Sequence, residues 1–254
     1  MCNRKQVVEE APFRKMRFDS DVICESLNLY YGGLSLRKIT HHLSMTKGLK
    51  VTHQTIYNWL SRYTEMIAQY VEKLTPDLTG HWHADEMTVK VKGEMKWLWN
   101  VIDQGTKMQL ASEISATRNE VDSMKAFNRA KMIAKRIPKT ITTDKLTSYP
   151  IGIERAFIYA KEKPHHIRIL SGAGTPKGNQ YAERLHNTIR ERNKIQRGWK
   201  KDDTPLREGQ MIYYNFIRPH MSLNGKTPAE QAGIVLQSDR NRWEELIRRS
   251  YRSN

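Results

Sequence analysis

The sequence predicts an α/β protein with a mixed β-sheet, preceded by a small all-α unit. Before residue 72, apolar residues recur with helical spacing in three short segments. Between residues 83 and 115, apolar and polar residues alternate in three segments typical of half-buried strands. Beyond residue 115, helical segments alternate with short apolar ones, which indicates a sheet with crossover helices.

The charge of the chain indicates the class of its partner. Its 254 residues include 43 Lys and Arg against 27 Asp and Glu, giving a formal net charge of +16. Such an excess favours a polyanionic partner, because each phosphate that is neutralised releases counterions. We therefore expect a nucleic acid, although an ordinary basic protein remains an alternative.

The cysteines and the apolar segments exclude other classes. Two cysteines and no Cys-x-x-Cys pair exclude a disulfide framework and a cysteine zinc site. No apolar run approaches the ~20 residues of a membrane span, and no secretory signal is evident. We expect a cytoplasmic protein, associated with the nucleoid through its partner.

The all-α unit is predicted over residues 19–71, after residues 1–18, which lack periodicity and are interpreted as a flexible leader. Its first helix is expected to begin with Ser20 as N-cap, the second at Ser35 and the third at Thr52. In each helix the apolar residues lie on one face. The unit is therefore predicted to be a compact trihelical domain.

Three short helices with a tight connection before the third are the layout of a helix-turn-helix. The last helix of that motif offers its first polar residues to base edges. The residues in that position are His53, Gln54, Thr55 and Asn58, with Arg62 placed for a phosphate. A three-helix bundle without a DNA role fits the pattern nearly as well, and the net charge favours DNA.

A change of period marks the second domain. Residues 72–80 combine Pro, Asp and Gly and are interpreted as a linker. The alternating segments 83–91, 95–103 and 108–115 are separated by glycine-containing turn signals. These three strands are predicted to form an antiparallel meander.

Helices and strands alternate after the meander. A helix that begins near Asn119 is expected to end before Pro138, with Val121, Met124 and Phe127 among its inward residues. Strands at 140–144 and 165–170 follow, separated by a helical passage over 148–163. A glycine-rich loop then precedes a long basic helix from about Asn179 to Lys194. This order fits a ribonuclease-H-like core.

Three acids are placed where this fold would bring them together. Asp85 lies in the first strand, Asp144 ends the fourth, and Glu183 lies in the first turn of the basic helix. Adjacent carboxylates raise one another's pKa unless cations neutralise them. Two Mg²⁺ ions would do so, and they would also support in-line displacement at phosphorus.

Each acid also has an ordinary structural interpretation when it is taken singly. Asp144 could cap a strand, and Glu183 could favour the dipole of its helix. Glu86 should point to the opposite face from Asp85, because side chains alternate along a strand, and it is left out of the cluster. Asp103, before Gln104 and Gly105, is interpreted as a turn residue.

Four motifs carry a resemblance to a known family. They are "WHADEMTVKVKGEMKWLWNVID", "ITTDKLTSYP", "NQYAERLHNTIRERNK" and "YYNFIRPHMSLNGKTPAEQAGI". In these motifs the chain resembles the DDE transposases of bacterial and archaeal insertion sequences, which are related to retroviral integrases. It is most similar to the group typified by insertion sequence twenty-six, and the resemblance covers roughly residues 20–234.

The resemblance implies a catalytic, metal-binding triad of Asp85, Asp144 and Glu183, with two Mg²⁺ ions for which Mn²⁺ can substitute. It implies an integrase-type catalytic domain over 81–234. The remaining residues, 235–254, are interpreted as a basic C-terminal tail. It further implies binding of element ends, strand cleavage, attack of the freed 3′-hydroxyl on target DNA, and at least a homodimer.

The chain departs from the family pattern at two positions. Many members carry Arg four residues before the Glu and Lys seven residues after it, where this chain has Asn179 and Arg190. We expect Arg184, Arg190 and Lys194 to contact DNA. A catalytically silent DNA-binding protein and a nuclease of the same fold remain alternatives.

Overall fold

The computed structural model describes residues 12–14, 16–169, 179–196, 198–202, 204–236 and 241–253. The helices in the described residues are α1 (Ser20–Gly32), α2 (Leu36–Lys47), α3 (His53–Val71), α4 (Glu120–Ala134), α5 (Ser148–Ala156), α6 (Gln180–Gln196), α7 (Pro205–Ile212), α8 (Pro228–Gln231) and α9 (Arg242–Arg252). The strands are β1 (His81–Val91), β2 (Glu94–Asp103), β3 (Gln109–Ser115), β4 (Thr140–Thr143) and β5 (His165–Arg168). No helix in the described segments is long and apolar enough to cross a membrane.

The strands form one mixed sheet in the order β3-β2-β1-β4-β5. β1, β2 and β3 pair antiparallel, whereas β4 runs parallel to both β1 and β5. The β1–β2 turn uses Lys92 and Gly93, both with positive φ, as a tight hairpin requires. The predicted meander and the ribonuclease-H-like mixed sheet are therefore confirmed.

Helices cover both faces of this sheet. α4 packs on β2, β3 and α5, and α6 packs on β1 and β2. Met87 and Val89 of β1 join Leu185 and Ile189 of α6 in one apolar cluster. Trp82, on the opposite face, belongs to the larger core that α4 and α5 cover. Because side chains alternate between the two faces along β1, Asp85 lies on the same face as Met87 and Val89, which α6 covers.

The ends of the N-terminal helices follow local capping signals. The Ser35 side chain accepts a hydrogen bond from Lys38 N, and the Thr52 side chain accepts one from Thr55 N. The expectation for α1 was one residue off, because Asp19 occupies its N-cap position and Ser20 is already helical. The predicted starts of α2 and α3 are correct, because each depends on a capping residue beside the helix in the sequence.

Residues 1–18 and 235–254 were interpreted as a flexible leader and a basic tail, but their described parts include residues that pack on the core. Phe13 is buried with its ring 5.5 Å from that of Tyr63. α9 packs on α1 and α3, and its Trp243 is fully buried and stacks on Tyr31 at 5.4 Å. Both ends of the described chain therefore complete the core of the helical unit.

The inward face of α4 also differs from the prediction. Val121 is 37% exposed, whereas Asp122 and Ser123 are buried. Asp122 forms a capping box with Asn119, and Ser123 Oγ donates to Ser148 O. In the first turn of α4, hydrogen-bonded polar residues therefore occupy the inward positions, and Val121 faces solvent.

Candidate active site

Adjacent parallel strands bring two of the predicted acids together. Pairing of β1 with β4 places His83 beside Thr142, so Asp85 and Asp144 both lie just beyond the end of the ladder. The structure groups Asp85, Glu86 and Asp144, each of which offers a carboxylate oxygen within 4.8 Å of the others. The convergence of Asp85 and Asp144 was predictable from strand order.

Glu86 was wrongly left out of this cluster. Its side chain does face the α5 side, where Tyr149 hydroxyl donates to Oε2 at 2.5 Å and Arg118 Nε donates to Oε1 at 2.9 Å. Alternation predicts the face of a residue, but it does not predict distance at a strand end. Beyond the last paired residues of β1 and β4, carboxylates from both faces of the sheet approach one another. The adjacency of Asp85 and Glu86 in the sequence was the signal that could have placed Glu86 in the cluster.

Glu183 occupies the first turn of α6 and is exposed. Among the described residues, it does not belong to the group of acids within 4.8 Å of one another. Its charge nevertheless helps to raise the pKa of Asp85, so it lies within electrostatic reach of that carboxylate. α6 packing on β1 accounts for this approach.

The pKa of Asp85 reflects its burial among other acidic side chains. Burial raises its pKa from 3.8 to about 7, and the charges of Glu86, Asp144 and Glu183 act in the same direction. The Glu86 N–H donates to Asp85 Oδ1 at 3.1 Å and opposes the shift. Hard divalent cations prefer oxygen ligands of this kind, so the donor set fits Mg²⁺ or Mn²⁺.

His186 contacts Asp85 from α6. Its Nδ1 lies 3.5 Å from Asp85 Oδ2, and only 3% of its side chain is exposed. Burial, with Arg190 nearby, lowers the pKa of His186 to about 4. Nε2 finds no hydrogen-bond partner within the described part of the chain.

Asn179, which stands where family members carry Arg, connects the start of α6 to β1. Its Nδ2 donates to Ala84 O and its Oδ1 lies 3.3 Å from His83 Nδ1. His83 also lies 3.2 Å from Gln104 Oε1. Asn179 thus anchors the helix that carries Glu183 and His186.

The residues expected to contact DNA are mostly exposed. Those on α3 and α6 whose side chains face solvent are His53, Gln54, Asn58, Arg62, Arg184, Arg190 and Lys194. Thr55 is half-buried, and its hydroxyl lies 2.9 Å from that of Thr52 in the helix cap. Arg192 of the same basic helix instead donates to Gly32 O at the end of α1.

Asp103 has the structural role that its sequence context indicates. It is fully buried and accepts hydrogen bonds from Gly80 N and Thr106 N, at 3.0 and 3.1 Å. Thr79 Oγ1 also donates to it. These bonds fix the turn after β2 and leave Asp103 outside the acid cluster.

Comparison with known proteins identifies the family. Residues 79–208, just over half of the chain, match the family model DDE_Tnp_IS240, described as a DDE domain. The transposase for insertion sequence element IS257 in transposon Tn4003 of Staphylococcus aureus is 25% identical over 232 residues, 89% of this chain and 99% of that protein. An uncharacterized protein of Methanocaldococcus jannaschii, MJ0017, is 30% identical over 48% of this chain and 54% of its own length.

Solved structures to which the chain shows some similarity include the HTLV-2 integrase catalytic core domain in complex with magnesium. It is 17% identical, has a TM-score of 0.45, and the match covers 63% of this chain and 97% of that one. A simian T-cell lymphotropic virus intasome chain is 13% identical with a TM-score of 0.48, and the match covers 86% of this chain and 73% of that one. On the match to the family model, the chain belongs to the DDE-domain family of insertion-sequence transposases, which are polynucleotidyl transferases.

Proposed function

We propose that the chain is a transposase that binds the ends of an insertion sequence, cleaves DNA there and joins the freed 3′-hydroxyl to target DNA. One observation carries this proposal. Asp85 and Asp144 converge where β1 and β4 end, with Glu183 close enough to raise the Asp85 pKa. The acids lie in a chain of net charge +16, as expected of an enzyme that holds metal and DNA together.

Asp85, Asp144 and Glu183 would hold the metal. Two Mg²⁺ ions, or Mn²⁺ in their place, would activate the attacking oxygen and stabilise the leaving oxygen of an in-line displacement. The protein contributes orientation: His186 and the Glu86 N–H support Asp85, while Asn179 anchors the start of α6. No covalent enzyme intermediate is needed.

End recognition is assigned to a helix-turn-helix domain over residues 19–71. The first turns of α3 would offer His53, Gln54 and Asn58 to base edges, with Arg62 on a phosphate. The Gln54 amide donates to Asn58 Oδ1 at 3.0 Å, so the two exposed side chains lie side by side on α3. Thr55 contributes less, because its hydroxyl is engaged at the cap.

The catalytic domain is assigned to residues 81–234, with 72–80 as the linker. Arg184, Arg190 and Lys194 project from α6, the helix that carries Glu183, and would contact DNA backbone near the acids. Two element ends must be joined together, so a homodimer or higher oligomer on the nucleoid is the expected functional state.

A joining assay tests this function. The substrates are DNA carrying the ends that flank the gene and a plasmid target, with Mg²⁺, and wild type is compared with Asp144→Asn. We expect metal-dependent joined product from the wild type and none from the variant. Asp77→Asn is the matched control, because the Asp77 side chain is 90% exposed and its carboxylate pairs with Arg136 rather than with the acids.

The two alternatives give different results in the same assay. Specific end binding without nicking or joining would favour a catalytically silent DNA-binding protein. Nicked ends without joined product would favour a nuclease of the same fold. Joined product that persists in Asp144→Asn would contradict the assignment of the metal site.

A further inference from the structure

One buried acid beside the catalytic residues has no part in the proposed chemistry. The Glu86 side chain is only 2% exposed, and its carboxylate lies within 4.8 Å of those of Asp85 and Asp144. Burying a carboxylate next to others costs free energy unless donors and cations compensate. The position of Glu86 therefore depends on groups that compensate its charge.

Both oxygens of Glu86 are already occupied by protein donors. Arg118 donates to Oε1 through Nε and Nη2, and the Tyr149 hydroxyl donates to Oε2. Each donor is itself fixed by an aromatic contact. The Arg118 guanidinium lies 4.6 Å from the Trp97 ring centroid, and the buried Tyr149 ring meets Trp99 edge-on at 5.5 Å. This arrangement holds Glu86 rigidly on the α5 side of the sheet.

The bond between Glu86 and Tyr149 connects the two segments that carry the catalytic aspartates. Glu86 directly follows Asp85, and its N–H bonds to Asp85 Oδ1. Tyr149 lies in α5, and the turn that leads from Asp144 into this helix is closed by Leu146 N–H on Asp144 Oδ1 at 2.9 Å. Movement of α5 relative to β1 would therefore change the separation of the two aspartates.

Backbone pairing does not make this connection. The ladder between β1 and β4 ends at His83 and Thr142, two residues before each aspartate. The Glu86–Tyr149 bond, at 2.5 Å, lies beyond that point. It joins β1 to α5, beyond the last residues at which β1 pairs with β4.

We propose that Glu86 is a positioning residue, which Arg118 and Tyr149 hold in place so that it fixes the separation of Asp85 and Asp144 and thereby the affinity for the divalent metal. The proposal rests on the proposed function, because it assumes that these aspartates bind the metal. A direct ligand role for Glu86 is the competing interpretation. It would require the carboxylate to give up or share the donors that now occupy both oxygens.

Tyr149→Phe separates the two roles, because it removes one hydroxyl and leaves Glu86 in place. We would titrate Mn²⁺ into the full-length protein without DNA, by electron paramagnetic resonance, and measure joining as a function of Mn²⁺. We expect the half-saturating Mn²⁺ concentration to rise about tenfold or more, as on loss of a group that orients a ligand. Joining at saturating Mn²⁺ should return to within about twofold of wild type, since the ligands remain.

Tyr31→Phe is the matched control. The Tyr31 hydroxyl bonds to Thr64 Oγ1 at 2.8 Å, and both residues are buried in the helical unit. This variant also loses one buried hydrogen bond, at a place remote in sequence from the acids. We expect its Mn²⁺ affinity to equal that of the wild type. Thermal unfolding of both variants measures the structural effect separately.

Three results would overturn the proposal. If Tyr149→Phe lowers the melting temperature but binds Mn²⁺ with wild-type affinity, the role of Glu86 is purely structural. Loss of Mn²⁺ binding in Glu86→Gln as complete as in Asp144→Asn, with Tyr149→Phe unaffected, would make Glu86 a ligand. Wild-type affinity in Asp144→Asn would instead remove the metal site itself, and so identify a failure of the proposed function.

Discussion

His186 Nδ1 lies 3.5 Å from Asp85 Oδ2, and this contact joins the helix of the third acid to the strand of the first. His186 follows Glu183 by one helical turn, so α6 places His186 against Asp85 and Glu183 within electrostatic reach of the same carboxylate. Burial and Arg190 hold the pKa of His186 at about 4, so the ring is neutral near pH 7. A neutral ring with its proton on Nδ1 can support the Asp85 carboxylate without competing with a metal for its charge.

Replacing His186 should weaken catalysis while leaving DNA binding intact. We expect His186→Ala to reduce joining by about tenfold to a hundredfold, the usual effect of removing a group that orients a metal ligand. His186→Asn should retain more activity, since the amide nitrogen can occupy the Nδ1 position. Joining rates and end binding measured on both variants test this, and equal activity in His186→Ala and wild type would contradict it.

The raised pKa of Asp85 predicts how the stability of the metal-free protein depends on pH. Between about pH 4 and pH 7 the folded protein binds a proton that the unfolded chain has released. The free energy of unfolding should therefore fall as pH rises through this window and level off above it. One pKa unit corresponds to about 1.4 kcal/mol, so the expected total is a few kcal/mol. Denaturant unfolding in EDTA across this range measures it.

Asp85→Asn is the control for this pH effect. The amide does not titrate, so the difference in stability between wild type and variant should shrink as pH falls towards 4. Mg²⁺ competes with the proton and should stabilise the wild type more at pH above 7 than below. Parallel curves for the two proteins would show that Asp85 titrates normally.

Local signals explain which parts of the fold were predictable. Ser35, Thr52 and the left-handed Gly48 fix the ends of α2 and α3 within a few residues of chain. The meander follows from alternation and turn chemistry. The meeting of Asp85 and Asp144 requires only that β1 and β4 be neighbours.

Contacts between distant segments explain what the sequence did not reveal. Phe13 is buried against Tyr63, far along the chain, and carries no local sign of its packing. The C-terminal segment did carry one, because Trp243, Leu246 and Ile247 follow the Asn241 cap with helical spacing. Glu86 was assigned to the correct face of β1, yet its place in the acid cluster depends on where β4 ends. The Asp85–His186 contact depends on how far α6 lies along the sheet, which no spacing encodes.

Trp243 should therefore be essential for stability. It is fully buried and stacks on Tyr31, so Trp243→Ala is expected to lower the free energy of unfolding by about 3–5 kcal/mol. Tyr251→Ala in the same helix, at a residue that is 50% exposed, should change it by less than about 0.5 kcal/mol. Equal effects in denaturant unfolding would mean that α9 does not pack on α1 and α3 in solution.

The start of α3 predicts two different effects on DNA binding. Arg62→Ala should weaken binding to all DNA sequences alike, because a phosphate contact carries no sequence information. It should also reduce the slope of log K against log salt concentration by about one. Asn58→Ala should cost about 1–3 kcal/mol on the element end only, since it removes a base contact. Gln69→Ala, at an exposed position near the end of the same helix, is the control.

Fluorescence anisotropy with end DNA and scrambled DNA at several salt concentrations separates the two effects. Unchanged binding in both variants would mean that another surface recognises the ends, because an exposed recognition helix cannot lose both contacts without effect.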